Sequence, residues 1–143
     1  MIISELRVYD FRQFKSVNGA PGLKITFHKG LNALIGENDS GKTAVIDALK
    51  LVLLTQSNEY IRPSDEDFYK PVGEDAYSEF KVDCTISDFT QNEAKNFIEY
   101  LSFNQTENGI EYTLELHYRA WKEGHKIYQE LRVGDIDDGI SID

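Results

Sequence analysis

The stretch Gly36-Glu37-Asn38-Asp39-Ser40-Gly41-Lys42-Thr43 fits the pattern G-x-x-x-x-G-K-[S/T], and its reading decides the fold. Glycine at the fixed positions lets the backbone curl so that successive N–H groups point inward at a phosphate, which side chains there would obstruct. Lys42 supplies positive charge for the β- and γ-phosphates of a nucleotide. The Thr43 hydroxyl supplies a ligand for Mg²⁺.

The flanks agree with the loop. Upstream, Leu31-Asn32-Ala33-Leu34-Ile35 is a short apolar run of the kind that forms a buried strand. Downstream, residues 43 to about 54 predict a helix, because Ala44, Val45, Ile46, Ala48, Leu49, Val52 and Leu53 leave only Asp47 and Lys50 as charged positions. Strand, glycine loop, helix is the order the chemistry requires, since a helix N-terminus adds partial positive charge and free N–H groups to an anion site.

Working outward toward the N-terminus, residues 2–9 alternate, with Ile2, Leu6 and Val8 on one face, and predict a half-buried strand. Asn18-Gly19 and Pro21-Gly22 mark turns. Leu23, Ile25 and Phe27 then alternate with Lys24, Thr26 and His28 in a second strand, expected to form a hairpin with the first beside the phosphate-loop strand.

Toward the C-terminus, residues 56–76 are polar, carry Pro63 and Pro71, and hold Asp65, Glu66, Asp67, Glu74 and Asp75. They read as a solvated excursion over the surface, and the acids match no metal cage. Phe80, Val82, Cys84 and Ile86 alternate in a strand, with Cys84 a core residue. Thr90-Gln91-Asn92-Glu93 is a capping-box pattern, followed at helical spacing by Ala94, Phe97, Ile98 and Leu101. Asn108-Gly109 predicts a turn into a strand carrying Tyr112, Leu114, Leu116 and Tyr118, and a further strand is expected over about residues 127–133. Asp138-Gly139 reads as a hairpin turn whose second strand has hardly begun at Asp143, an end that reads as cut. His28, His117 and His125 have no partners at ligand spacing and are assigned no role. Asp135, Asp137 and Asp138 lack the spacing of a calcium loop.

Composition limits the function classes. At 143 residues the chain is the size of one domain, and 41% hydrophobic and 12% aromatic residues suit a globular core. A formal charge of −10 opposes binding of DNA phosphates by this segment, so any DNA is expected to be gripped elsewhere. The single cysteine leaves no internal disulfide and suits a reducing cytoplasm. No apolar run approaches membrane-spanning length, and no signal peptide is visible.

Over about its first third, the chain resembles the N-terminal segment of ABC-type ATPases of the SMC/RecF group. The shared features are a first strand, an aromatic-Arg turn (Phe11-Arg12-Gln13-Phe14-Lys15), a second strand, and Gly30-Leu31-Asn32-Ala33-Leu34-Ile35-Gly36-Glu37-Asn38 running into the loop. Asp39 stands where many members have Gly, and Thr43 where many have Ser. The variant Gly-Glu-Asn-Asp-Ser-Gly-Lys-Thr is most similar to the OLD (overcoming lysogenisation defect) family of ATP-dependent endonucleases and related anti-phage nucleases. The resemblance implies an α/β P-loop NTPase, the first lobe of an ABC-type head, with a mixed sheet and an antiparallel β-rich arm. Residues 1–60 would be the nucleotide-binding core, 61–76 the polar excursion loop, and 77–143 the β-rich remainder of the lobe.

The same resemblance implies ATP and Mg²⁺ as cofactors, held by Arg12, Gly36, Glu37, Asn38, Asp39, Ser40, Gly41, Lys42 and Thr43, with Thr43 on the metal and Arg12 reaching phosphates from the first turn. Asp39 must then point outward, or it would repel the triphosphate. The Walker B acids, the Ser-Gly-Gly signature and the Toprim nuclease carboxylates of the family are not found in this sequence. The chain is therefore expected to bind ATP without turning it over, and to meet DNA through the remainder of a longer protein that works as a homodimer or higher oligomer. An SMC- or RecF-type repair ATPase is the near alternative. A self-contained P-loop GTPase or kinase is the distant one, but the chain has no Asn-Lys-x-Asp guanine motif and only Arg62 where a kinase lid would be Arg-rich. A non-catalytic module with a degenerate site sits poorly with intact Gly41, Lys42 and Thr43.

Overall fold

Strand β1 (Ile2–Tyr9) buries Leu6 and Val8 and lies centrally, because both of its edges are paired. On one side it runs antiparallel to β2 (Leu23–Thr26), with Leu6 opposite Ile25 and Val8 opposite Leu23. On the other it pairs with β3 (Glu79–Ser87), with Leu6 opposite Cys84 and Val8 opposite Val82. The computed structural model describes residues 1–30, 32–33, 41–53, 62–134 and 140–142. The hairpin of β1 and β2 is as the sequence predicts, and its neighbour across β1 is β3; the expected phosphate-loop strand beside it falls largely outside the described residues. Of the run at 31–35, only Asn32 and Ala33 are described; both are exposed and outside any strand, while Leu31, Leu34 and Ile35 lie outside the described residues.

The sheet continues from β3 to β5 (Gly109–Glu123), β6 (Lys126–Val133) and β7 (Ile140–Ile142), giving the order β2-β1-β3-β5-β6-β7. Every pairing between named strands is antiparallel among the described residues. The Asp138-Gly139 turn itself falls outside the described residues. Helix α1 (Lys42–Leu53) covers one face of the sheet, packing on β3 and β5 through Ala44, Val45, Ala48, Leu51 and Val52. Cys84 is a core residue as expected, and burial pushes its thiol up to about 12, so it is chemically inert.

Two local readings change in the tertiary setting. Thr90 caps α2 (Gln91–Asn96) as predicted, its Oγ1 accepting from Glu93 N at 3.2 Å while its own N–H donates to Glu93 Oε2 at 2.9 Å. The helix nevertheless stops at Asn96, and Leu101 opens β4 (Leu101–Thr106) in place of extending the helical stripe. The reason is the length of β5. Its pairing with β3 ends at Leu114 and its pairing with β6 at Leu116, and β4 pairs with the rest of the strand from Leu114 to Gly109, satisfying backbone groups that would otherwise be left without a ladder partner.

The second change concerns the acidic excursion. Phe68 is 2% exposed and stacks edge-on against Phe80 with ring centroids 5.0 Å apart, while Phe11 packs on the same ring at 5.0 Å. Asp67, just before it, is 6% exposed. The solvated-loop expectation is therefore corrected at these two positions. Backbone bonds stitch the segment to the first turn, Arg12 N–H donating to Asp67 O at 2.8 Å and Tyr69 N–H to Asp10 O at 3.0 Å.

That first turn is tightly built. Asn18 and Gly19 have φ of 52° and 80°, and Val17 and Ala20 exchange backbone bonds across them, the signature of a two-residue type I′ hairpin turn. Gly22 admits no side chain, because a Cβ there would stand 2.6–2.8 Å from backbone atoms of Phe14 and Lys15.

The opposite face of the sheet carries a polar row in which Arg7 bonds Glu5, Thr85 and Glu115, and His117 Nδ1 lies 2.9 Å from Asp83 Oδ1. The hydrogen bond to Asp83 raises the His117 pKa against the lowering effect of burial and of Arg7, with Glu115 adding to the rise. A raised folded pKa means that the contribution to stability is complete below the unfolded value of about 6.5 and fades as pH rises through the folded value. The destabilisation caused by His117→Gln, measured by urea denaturation, is therefore expected to be larger near pH 5.5 than near pH 8.5. A difference that does not vary with pH would exclude the charged pair.

Candidate functional site

Of the expected phosphate-loop residues, Gly36, Glu37, Asn38, Asp39 and Ser40 lie outside the described residues, and Gly41, Lys42 and Thr43 within them. Gly41 has φ +95°, a conformation that L side chains rarely adopt, and its carbonyl accepts the first helical bond of α1 from Val45 N–H at 3.0 Å. A Cβ at Gly41 would meet Phe14 Cζ at 2.6 Å and Gln13 Nε2 at 2.9 Å. The aromatic-Arg turn thus packs directly on the start of α1. No acidic residue occupies the first turn of that helix, so none within that turn offsets the partial positive charge of its N-terminus.

Thr43 and Asp47 are four residues apart and share one helix face, the one turned away from the core residues Ala44, Val45 and Ala48. An open cavity of about 590 Å³ lies along it, lined by Arg12, Thr43, Asp47, Ser64, Glu66, Asp67, Phe68 and Lys70. The structure therefore brings Arg12 and Thr43, which the sequence nominates separately, to one surface. Arg12 is held there by two carboxylates, its Nη2 2.8 Å from Asp47 Oδ2 and its Nε 3.1 Å from Asp67 Oδ1, with its Cζ 4.9 Å from the Phe11 ring centroid. Burial alone would lower the guanidinium pKa, but the bonds to Asp47 and Asp67 outweigh it and the net shift is upward.

Donors of this kind suit a nucleotide phosphate: a left-handed glycine leading into a helix N-terminus, with Lys42, Thr43 and Arg12 around it. Sequence reasoning missed Asp47 and Asp67 as partners of Arg12, and Gln13 and Phe14 as neighbours of Gly41. The Thr43–Asp47 spacing was a usable signal for Asp47, and the Ser64-x-x-Asp67 spacing resembled a cap. Nothing local pointed Asp67 toward Arg12. Among the described residues no group of three or more His, Cys, Asp or Glu is placed to hold a metal, and no helix is long and apolar enough to cross a membrane.

Comparison with known proteins adds the relatives. The sequence profile of the family described as "AAA domain" matches residues 5–139. The DNA double-strand break repair Rad50 ATPase of Pyrococcus abyssi (strain GE5 / Orsay) is 32% identical over 73 residues, 51% of this chain and 8% of its own length. The DNA replication and repair protein RecF of Oenococcus oeni (strain ATCC BAA-331 / PSU-1) is 27% identical over 117 residues, 77% of this chain and 29% of its own. The chromosome partition protein Smc of Chlorobaculum tepidum (strain ATCC 49652 / DSM 12025 / NBRC 103806 / TLS) is 37% identical over 62 residues, 43% of this chain and 5% of its own. The chain thus spans less than a third of each of these relatives. A solved chain from a study of ATP-driven dimerization and DNA-stimulated activation of SMC ATPases superposes with a TM-score of 0.63 at 19% identity, covering 99% of this chain and 72% of that one. The fold is that of an ABC-type P-loop NTPase lobe.

Proposed function

This chain belongs to the AAA domain family, and from that premise we propose that it is the ATP- and Mg²⁺-binding N-terminal lobe of an SMC/RecF-type ATPase, more narrowly of an OLD-like ATP-dependent DNA endonuclease. The observation that carries the proposal is the left-handed Gly41 opening α1, with Lys42, Thr43 and Arg12 around that helix start. In this reading residues 36–41 offer backbone N–H groups to the phosphates, Lys42 and Arg12 neutralise charge on them, and Thr43 contributes its hydroxyl to Mg²⁺. The metal would supply charge neutralisation on the phosphate oxygens.

The narrower endonuclease reading rests on the loop sequence Gly36-Glu37-Asn38-Asp39-Ser40-Gly41-Lys42-Thr43. Similarity to Rad50, RecF and Smc supports a repair or chromosome ATPase without its own nuclease equally well. The two differ in what the parent protein carries after residue 143, a Toprim domain or a coiled coil. On either reading the active protein is a cytoplasmic homodimer or higher oligomer that meets DNA through its other parts.

Phosphoryl transfer needs a positioned water and stabilisation of transition-state charge in addition to a phosphate cradle. The isolated chain is therefore expected to bind ATP in calorimetry yet release no phosphate and nick no plasmid DNA with Mg²⁺ or Mn²⁺, while the full-length parent, assayed beside it, hydrolyses ATP. Lys42-dependent turnover by the isolated chain would overturn the lobe reading in favour of a complete small P-loop enzyme.

A further inference from the structure

Asp67 is the only charged residue that is buried among the described residues, although its neighbours Asp65 and Glu66 are exposed. Sinking a carboxylate is costly unless each oxygen is partnered. Both are: Oδ1 accepts from Arg12 Nε at 3.1 Å and Oδ2 from Ser64 N–H at 2.9 Å, while the Asp67 carbonyl accepts from Arg12 N–H at 2.8 Å. Arg12 itself has φ 52°, a left-handed conformation that costs a non-glycine residue about 1–2 kcal/mol. Main chain and side chain of Arg12 are thus both fixed by one residue, and the buried Phe68 beside it anchors that residue in turn.

The two carboxylates on Arg12 are unequal. The Asp67 side chain is 9% exposed, whereas the Asp47 side chain is 31% exposed and reaches the guanidinium through Nη2 alone. The Asp47 contact is the shorter of the two, 2.8 Å against 3.1 Å, but water reaches both of its partners, so it is the one that a phosphate can displace. Nη1 has no partner among the described residues. We infer that Asp67 is a positioning residue for phosphate recognition: it holds Arg12 by Nε while the guanidinium exchanges Asp47 for a nucleotide phosphate. This rests on the reading of Arg12 and the phosphate loop proposed above. Holding Nε fixes the plane of the fork and leaves the two Nη groups to grip two phosphate oxygens, so the rotamer entropy of a long side chain is spent before the ligand arrives.

The test is calorimetric titration of the full chain with Mg-ATP and, separately, adenosine. Asp67→Ala is expected to weaken ATP about tenfold and leave adenosine unchanged, and Asp67→Asn, whose carbonyl oxygen still accepts from Nε, to lose only about threefold. In an Arg12→Ala background Asp67→Ala should cost nothing further, and Asp47→Ala, which removes the competitor, should tighten ATP. A loss from Asp67→Ala that persists without Arg12 would mark a merely structural role and overturn the inference. Unchanged or tighter ATP binding by Asp67→Ala, where Arg12→Ala weakens it, would do the same. Should Asp67→Ala not fold, Asp47→Ala still decides, because weaker ATP binding there contradicts the exchange. If Lys42→Ala weakens ATP and Arg12→Ala does not, Arg12 is no phosphate ligand and the inference fails while the phosphate site stands. If neither has an effect, the reading of the site itself fails.

Discussion

Lys42→Ala is expected to weaken ATP binding by about one to two decades, because a charged hydrogen-bond donor to phosphate is worth about 1.5–3 kcal/mol. The loss should be confined to ligands that carry the phosphate chain, leaving adenosine affinity where it was. It should also leave the fold intact. Lys42 is the first residue of α1 and lies outside the buried stripe of Ala44, Val45, Ala48, Leu51 and Val52, and alanine is the better helix former. Calorimetry on the wild type and the variant, paired with thermal melts of both, separates these effects. Equal ATP affinity in the two proteins would remove the phosphate-site assignment altogether.

The largest expected effect on stability is that of Phe80→Ala. Phe80 is 1% exposed, and its ring lies 5.0 Å from those of Phe11 and Phe68 and 6.0 Å from that of Tyr118. It is the contact through which the first turn, the acidic segment and the sheet meet. Truncating a buried phenylalanine costs about 3–5 kcal/mol, a large share of the roughly 5–15 kcal/mol that holds a typical domain folded. Chemical denaturation should show that loss, and ATP affinity should fall with it, because Phe68 would lose the ring that seats Asp67 beside Arg12. A destabilisation under about 1 kcal/mol would mean that the neighbouring rings refill the site.

Elements whose signal is local are legible in the sequence. Alternation in residues 2–9 and from Phe80 to Ile86 locates β1 and β3, the Thr90–Glu93 box locates the start of α2, and Asn18-Gly19 locates a type I′ turn. The end of α2 is not legible, because Phe97, Ile98 and Leu101 carry helical spacing. What turns Leu101 into a strand residue is an open ladder position on β5, a demand made by a partner and invisible in the segment itself. Phe68 escapes notice for a similar reason. One aromatic among acids and prolines has no period, and only the Phe11–Phe80 pair it packs against shows where it goes.

By itself the sequence nominated a phosphate loop, because eight contiguous residues specify backbone N–H groups, a lysine and a hydroxyl with no help from distant parts of the chain. Only the tertiary structure decided what holds Arg12. Its buried partner Asp67 is 55 residues away in the chain, and a carboxylate with no periodic or motif signal becomes a clamp only when Phe68 docks against Phe80 and carries its neighbour out of water. The desolvation that makes Asp67 costly to bury is also what makes its bond to Arg12 firm, and that balance exists only in the packed chain.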